Sequence, residues 1–174
     1  MSGHNKFSKI KHKKALTDAK KSKVYTKAAK IISVELKKAN GDKNAANVQA
    51  AVRRAREADV PNENIERALR KTENSAVMES IMYEAYGPGG AALLIEALTE
   101  NRNKAAGEVK HILSENGCAL AAPGSASWAF TKTAEGYMPN TMAPISEEDG
   151  AKLDILIEAL EDNDEVQEIW TNAE

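Results

Sequence analysis

From Ser8 to Asn40 the chain contains no Gly or Pro, and Val24, Ala28, Ile31, Ile32 and Leu36 recur at helical spacing. Most lysines of this stretch fall elsewhere on the wheel, which predicts one or two amphipathic helices. Gly41-Asp42 makes a stop and turn. Ala45 to Ala58 then reads as an Ala-rich helix carrying Arg53, Arg54 and Arg56. Pro61 sits at the first turn of a further helix, Asn62 to Lys71, whose apolar face is Ile65, Ala68 and Leu69. Residues 1–75 are therefore expected to form a small helical domain.

Beyond it the period changes. Ala92 to Leu98 is a compact apolar run and Ala126 to Thr131 a short one bearing Trp and Phe, both of strand length. Between them Asn101 or Asn103 can cap a helix with Ala105, Val109, Ile112 and Leu113 facing inward, and Gly117 can close it in the left-handed conformation. Met138 to Ile145 holds Pro139 and Pro144, so it reads as an edge strand or extended segment beside residues 126–132. Ser146-Glu147-Glu148-Asp149 is a Ser cap followed by acids in a first turn, and Leu153, Leu156, Ile157 and Leu160 line one face of the helix behind it. Val166 to Thr171 supplies a final strand. The expected class is α+β: a basic helical bundle, then a β-α-β-β-α-β ferredoxin-like domain over residues 76–174 with two helices on one face of an antiparallel sheet.

Charge sharpens this division. The first forty of the 174 residues hold twelve lysines against Asp18 and Glu35, a head of +10, while the whole chain is at −2, so residues 41–174 total −12. The last 42 residues, from Thr133, carry twelve acids and only Lys152. Such sorting predicts a polyanion partner for one end only, because phosphate neutralisation releases counterions without demanding a fixed side-chain geometry. Solvated helical faces usually interleave Glu with Lys, and here acids are nearly absent. The lone Cys118 suits a reducing compartment, and no apolar run approaches a membrane span, which together lead to the expectation of a cytoplasmic protein without a membrane partner.

Other chemistry is sparse. His4, His12 and His111 lie at no metal-ligand spacing, and Cys118 follows a helix end whose dipole opposes a thiolate, so neither a metal, a cofactor, a small-molecule substrate nor catalysis is expected. Gly87-Pro88-Gly89-Gly90, after Tyr86, lacks the Lys and Ser or Thr of a phosphate loop and precedes a strand, which favours a rigid turn. Together with Arg102 and Lys104 at the next turn it is a secondary candidate, either for an anion or, as an adaptor loop, for a protein partner.

Four blocks carry a resemblance to a known family: Gly3-His4-Asn5-Lys6-Phe7 with Ile10-Lys11-His12-Lys13-Lys14; Asp18-Ala19-Lys20-Lys21-Ser22-Lys23 with Tyr25-Thr26-Lys27; Tyr83 to Gly90; and Thr99-Glu100-Asn101-Arg102-Asn103. Their order resembles that of the YebC/PmpR family. The resemblance implies a non-enzymatic role in gene expression, either as a DNA-binding transcriptional regulator or as a ribosome-associated factor that helps translation past difficult peptide bonds such as consecutive prolines. Carried over by motif, the nucleic-acid contacts would be His4, Lys6, Lys9, Lys11, His12, Lys13, Lys14, Lys20, Lys21, Lys23 and Lys27. Two departures stand out. Phe7 replaces a usual Trp, and only Thr131 to Pro139 occupies the place after Phe130 where typical members insert a further α/β domain. The Lys-rich head, poor in the bidentate Arg of base readers, tilts the reading toward ribosomal RNA, with sequence-specific DNA binding as the alternative.

Overall fold

The computed structural model describes residues 18–70, 78–134 and 136–174. The described residues divide into two compact units, with the boundary between Met78 and Glu79.

The first unit consists of α1 (Asp18–Lys38), α2 (Ala46–Glu57) and α3 (Asn62–Arg70). In α2 the buried residues are Val48, Ala51, Val52 and Ala55, the i, i+3, i+4, i+7 stripe of an amphipathic helix. Ala51, Val52 and Ala55 meet Ile32 of α1 and Ile65 and Ala68 of α3, with Tyr25, Ala28 and Ala29 packed at the margin. Both helix ends are backbone devices. Asn40 and Gly41 have positive φ and the Gly41 N–H reaches the Leu36 carbonyl at 2.9 Å. Asp59 at φ +57 lets the Val60 N–H reach Ala55 at 3.0 Å before Pro61 ends the turn.

The second unit contains β1 (Glu79–Tyr86), β2 (Ala92–Thr99), α4 (Arg102–Glu115), β3 (Ala119–Ala121), β4 (Phe130–Thr133), β5 (Gly136–Pro139), α5 (Glu147–Glu161) and β6 (Val166–Thr171). The main sheet is antiparallel in the order β3-β1-β2-β6. Leu93 and Ile95 on one face of β2 meet Val109 and Leu113 of α4 and Leu153, Leu156 and Leu160 of α5. On the other face Ala92, Leu94, Met82 and Trp170 are covered by Ala126, Ala129, Phe130 and Tyr137. Buried on both faces, β2 reads as a nearly continuous apolar run, interrupted by the half-buried Glu96.

The α+β class, the capped helices and the final strand match the expectation; the strand membership does not. β1 was not foreseen, because Glu79–Tyr86 shows no period-two alternation and carries the buried Glu84 where an apolar residue would signal a strand. Residues 127–129 form a 3-10 turn, and β4 pairs with β5 alone as a separate hairpin, Thr131 opposite Met138. The fourth main-sheet strand is instead β3, three residues long, so the order is β-β-α-β, hairpin, α-β in place of β-α-β-β-α-β. Asn101 caps α4 by accepting the Lys104 N–H at 3.1 Å, Ser146 caps α5 by accepting that of Asp149 at 3.1 Å, and Gly117 has φ +71.

Candidate nucleic-acid interface

In α1, Lys20, Lys23, Lys27 and Lys30 recur at intervals of three or four residues, which at 3.6 residues per turn places them on one stripe opposite Tyr25, Ala29, Ile32 and Leu36. All four are half-buried and each is already engaged in an interaction, so a phosphate would compete with existing partners. Lys21 lies off the stripe. It is exposed and, with Val24, Tyr25, Ala58 and Asp59, lines a shallow open cavity of about 310 Å³. His4, Lys6, Lys9, Lys11, His12, Lys13 and Lys14 lie outside the described residues.

The solvent side of α2 carries residues that the lysine-centred reading passed over. Arg53, Arg54 and Arg56 are all exposed, flanking a buried face of Val and Ala, and have no carboxylate at ion-pair distance among the described residues. The same holds for Lys21, Lys37 and Lys43. Other cations of this unit are paired locally: Lys38 with Glu35 at 2.7 Å, Arg67 with Glu63 at 2.9 Å and Arg70 with Glu66 at 2.7 Å. Three arginines within positions 53–56 were visible in the sequence, yet the longer lysine runs outweighed them.

Glu35 fixes how α1 presents this surface. Its carboxylate accepts from Lys38 and from the Asn47 side chain at 2.8 Å, and its backbone carbonyl accepts from the same Asn47 amide at 3.0 Å, tying α1 to the start of α2. Burial acts to raise its pKa, but the bonds from Lys38 and Asn47 and the charges of Lys38 and Arg54 outweigh that, leaving it below the ordinary carboxylate value.

The secondary candidates are placed differently. Gly87 to Gly90 form the turn of the β1–β2 hairpin, closed by the Gly87 N–H on the Ala91 carbonyl at 2.8 Å. A Cβ on Gly87 would stand 3.0 Å from Leu153 Cδ1, and one on Gly89, at φ +69, 2.6 Å from Ile145 Cγ2. Close packing against the start of α5 therefore accounts for both glycines. Arg102 faces Glu79 at 3.5 Å and Lys104 faces Glu165 at 3.1 Å, so both cations are directed at carboxylates of their own chain. Tyr86 is an exposed ring whose hydroxyl donates to the Ser125 carbonyl. Cys118 is half-buried, and burial pushes its thiol above the usual range. No group of three or more His, Cys, Asp or Glu among the described residues could hold a metal, and no described helix is long and apolar enough to cross a membrane.

Sequence comparison bears on this arrangement directly. Residues 5–75 match the model of the TACO1/YebC protein N-terminal domain, and residues 78–135 and 132–173 match that of the TACO1/YebC second and third domain. The chain belongs to the TACO1/YebC family. A family member from Pelotomaculum thermopropionicum, described as a probable transcriptional regulatory protein, is 48% identical over 134 residues, which is 75% of this chain and 55% of that one. Against such relatives the chain spans little more than half of their length. Another, from Desulforamulus reducens and described in the same words, is 33% identical over 240 aligned positions covering 100% of this chain and 99% of its own. Since the present chain has 174 residues, at least 66 of those positions have no counterpart in it. The two pieces of the family match meet at residues 132–135, the turn between β4 and β5, so this TACO1/YebC member is a short one that lacks internal length there. Among solved structures, a conserved hypothetical protein of Aquifex aeolicus, Aq1575, is similar with a TM-score of 0.84 at 26% identity, covering 95% of each chain.

Proposed function

We propose that this TACO1/YebC member regulates gene expression by binding nucleic acid through its helical unit, acting by position and without catalysis. The observation that carries the reading is the set of exposed cations, Lys21, Lys37, Lys43, Arg53, Arg54 and Arg56, that have no carboxylate within ion-pair distance among the described residues of their own unit. The Lys6, Lys9, Lys11, Lys13 and Lys14 run extends the same charge in sequence, with His4 and His12 beside it. Unpaired cations release counterions when they meet phosphates, which supplies affinity without base contacts. Residues 79–174, with eighteen acids against five Lys or Arg, repel the same polyanion and would orient the protein on it.

The target in this proposal is ribosomal RNA, and the role is assistance to translation at difficult peptide bonds such as proline stretches. A chain whose basic head is nearly all lysine suits shape and backbone recognition, as on RNA. The second reading, a DNA-binding transcriptional regulator, is favoured by the descriptions of the relatives and by the three α2 arginines, since Arg is the common reader of guanine edges. Sedimentation of cell extract through a gradient at low and high salt separates them. The proposal expects the protein in ribosomal fractions at low salt and its release at high salt. Absence from those fractions at low salt, with promoter-fragment binding that survives excess nonspecific competitor, selects the DNA reading.

A further inference from the structure

The sheet unit leaves one of its two tryptophan rings in water and then fixes it there. Trp128 is 57% exposed and Tyr86 beside it 39%. The Trp128 indole N–H donates to the Ser125 carbonyl at 2.9 Å and to the Tyr86 hydroxyl oxygen at 3.1 Å, and the Tyr86 O–H donates to the same carbonyl. Ser125 is itself held, its N–H and Oγ donating to the Ala122 carbonyl at 3.0 and 2.6 Å. Beneath the turn the buried Glu84 carboxylate accepts three backbone N–H groups, those of Gly124 and Ala126 at 2.7 Å and that of Ser127 at 2.9 Å. An ionised group inside a sheet is costly unless fully bonded, and this one positions the residues on either side of the two rings.

What such a platform can recognise follows from the atoms it leaves available. The indole N–H is consumed internally, so the exposed indole offers its π face, whose negative quadrupole attracts cations and most strongly so for Trp. Residues 79–174, which supply both rings, carry eighteen acids against five Lys or Arg, a charge balance that attracts cationic partners and repels phosphates. In sequence the nearest cation to Trp128 is Lys132, four residues on. We propose that Trp128 and Tyr86 form a docking platform for a basic protein segment, which lays an arginine or lysine side chain on the face of Trp128. This site is separate from the helical cations and does not rest on the nucleic-acid reading.

The test uses the full chain, a fluorescein-labelled peptide alternating Arg and Gly, its Glu-Gly counterpart and an oligouridylate of similar length, with binding read by anisotropy. The Arg-Gly peptide is expected to bind with salt-sensitive affinity and the Glu-Gly peptide not to bind. Trp128→Ala and Trp128→Leu should each weaken the Arg-Gly peptide by about tenfold, in line with a desolvated cation–π contact, while Trp128→Phe keeps it within about threefold. Oligouridylate binding should be unaffected by all three changes. Equal peptide binding by wild type and Trp128→Ala would overturn the proposal. So would retention of binding by Trp128→Leu, which would make the contact merely apolar, or a tenfold loss of oligouridylate in place of peptide, which would make the rings a nucleotide-stacking surface.

Discussion

The two units handle charge in opposite ways. In the sheet unit three of the five Lys and Arg, Arg102, Lys104 and Lys152, face carboxylates, and Glu84 is built into the interior where its carboxylate accepts three backbone N–H groups. In the helical unit six cations stand exposed with no ion-pair partner among the described residues, and its core mixes Ala51, Ala55 and Ala68 with branched Ile32, Val52, Val60 and Ile65. Under the proposed function, the contrast separates charge paired within the fold from charge left open to another molecule. Exposed ion pairs contribute little to stability, so removing an unpaired cation should cost the fold almost nothing while costing the partner a great deal.

The contrast can be broken first at Glu84. Replacement by Gln keeps the size but offers one carbonyl oxygen to three N–H donors and turns an NH2 group toward them. Stranded buried donors make a loss on the order of 3 kcal/mol in unfolding free energy, measured by denaturant titration. A loss under about 0.5 kcal/mol would show the carboxylate to be an ornament of the turn. A smaller effect, about 2 kcal/mol, is expected for Gly89→Ala, because its Cβ would stand 2.6 Å from Ile145 Cγ2 at a φ that disfavours side chains. Loss of the α5 cap in Ser146→Ala should cost about 1 kcal/mol. The matching change in the other unit, Arg53→Ala with Arg54→Ala and Arg56→Ala, should move stability by less than about 0.5 kcal/mol.

Acid sharpens the same comparison. Burial raises the pKa of Glu84, but its backbone N–H partners at Gly124, Ala126 and Ser127 outweigh that and hold it below the ordinary 4.5. The unfolded chain therefore takes up the proton first as pH falls. The stabilisation from Glu84 is fully present above 4.5 and lost as pH drops through its lower folded value. Glu35 behaves alike in direction. Stability measured from pH 6 to pH 3 should decline in the wild type, and Glu84→Gln should flatten that decline; an unchanged slope would remove Glu84 from the account.

Legibility in the sequence followed the physics of each element. α2 and α5 were readable because their apolar residues repeat at helical spacing behind recognisable starts and stops, and β6 because it is a short run with Ile169 and Trp170. β1 was hidden by Glu84, whose partners at Gly124, Ala126 and Ser127 are some forty residues away and leave no local trace. The β4–β5 hairpin was foreseen as a pairing but not its place off the main sheet, where Gly136 packs so closely that a Cβ would stand 2.9 Å from the Trp170 ring. At the candidate interface the lysine head was plain from counting, whereas the exposure of Arg53, Arg54 and Arg56 required knowing which face of α2 is buried.

The central claim is that phosphate contacts are made by the helical unit. It is tested most directly by the salt dependence of RNA binding, taken as the slope of log K against log salt for the full chain and for the Arg53, Arg54 and Arg56 triple alanine variant. A slope reduced by roughly three units, one for each lost contact, with affinity falling about equally on all RNA sequences, is the predicted result. An unchanged slope and affinity would place the phosphates on some other surface and contradict the account.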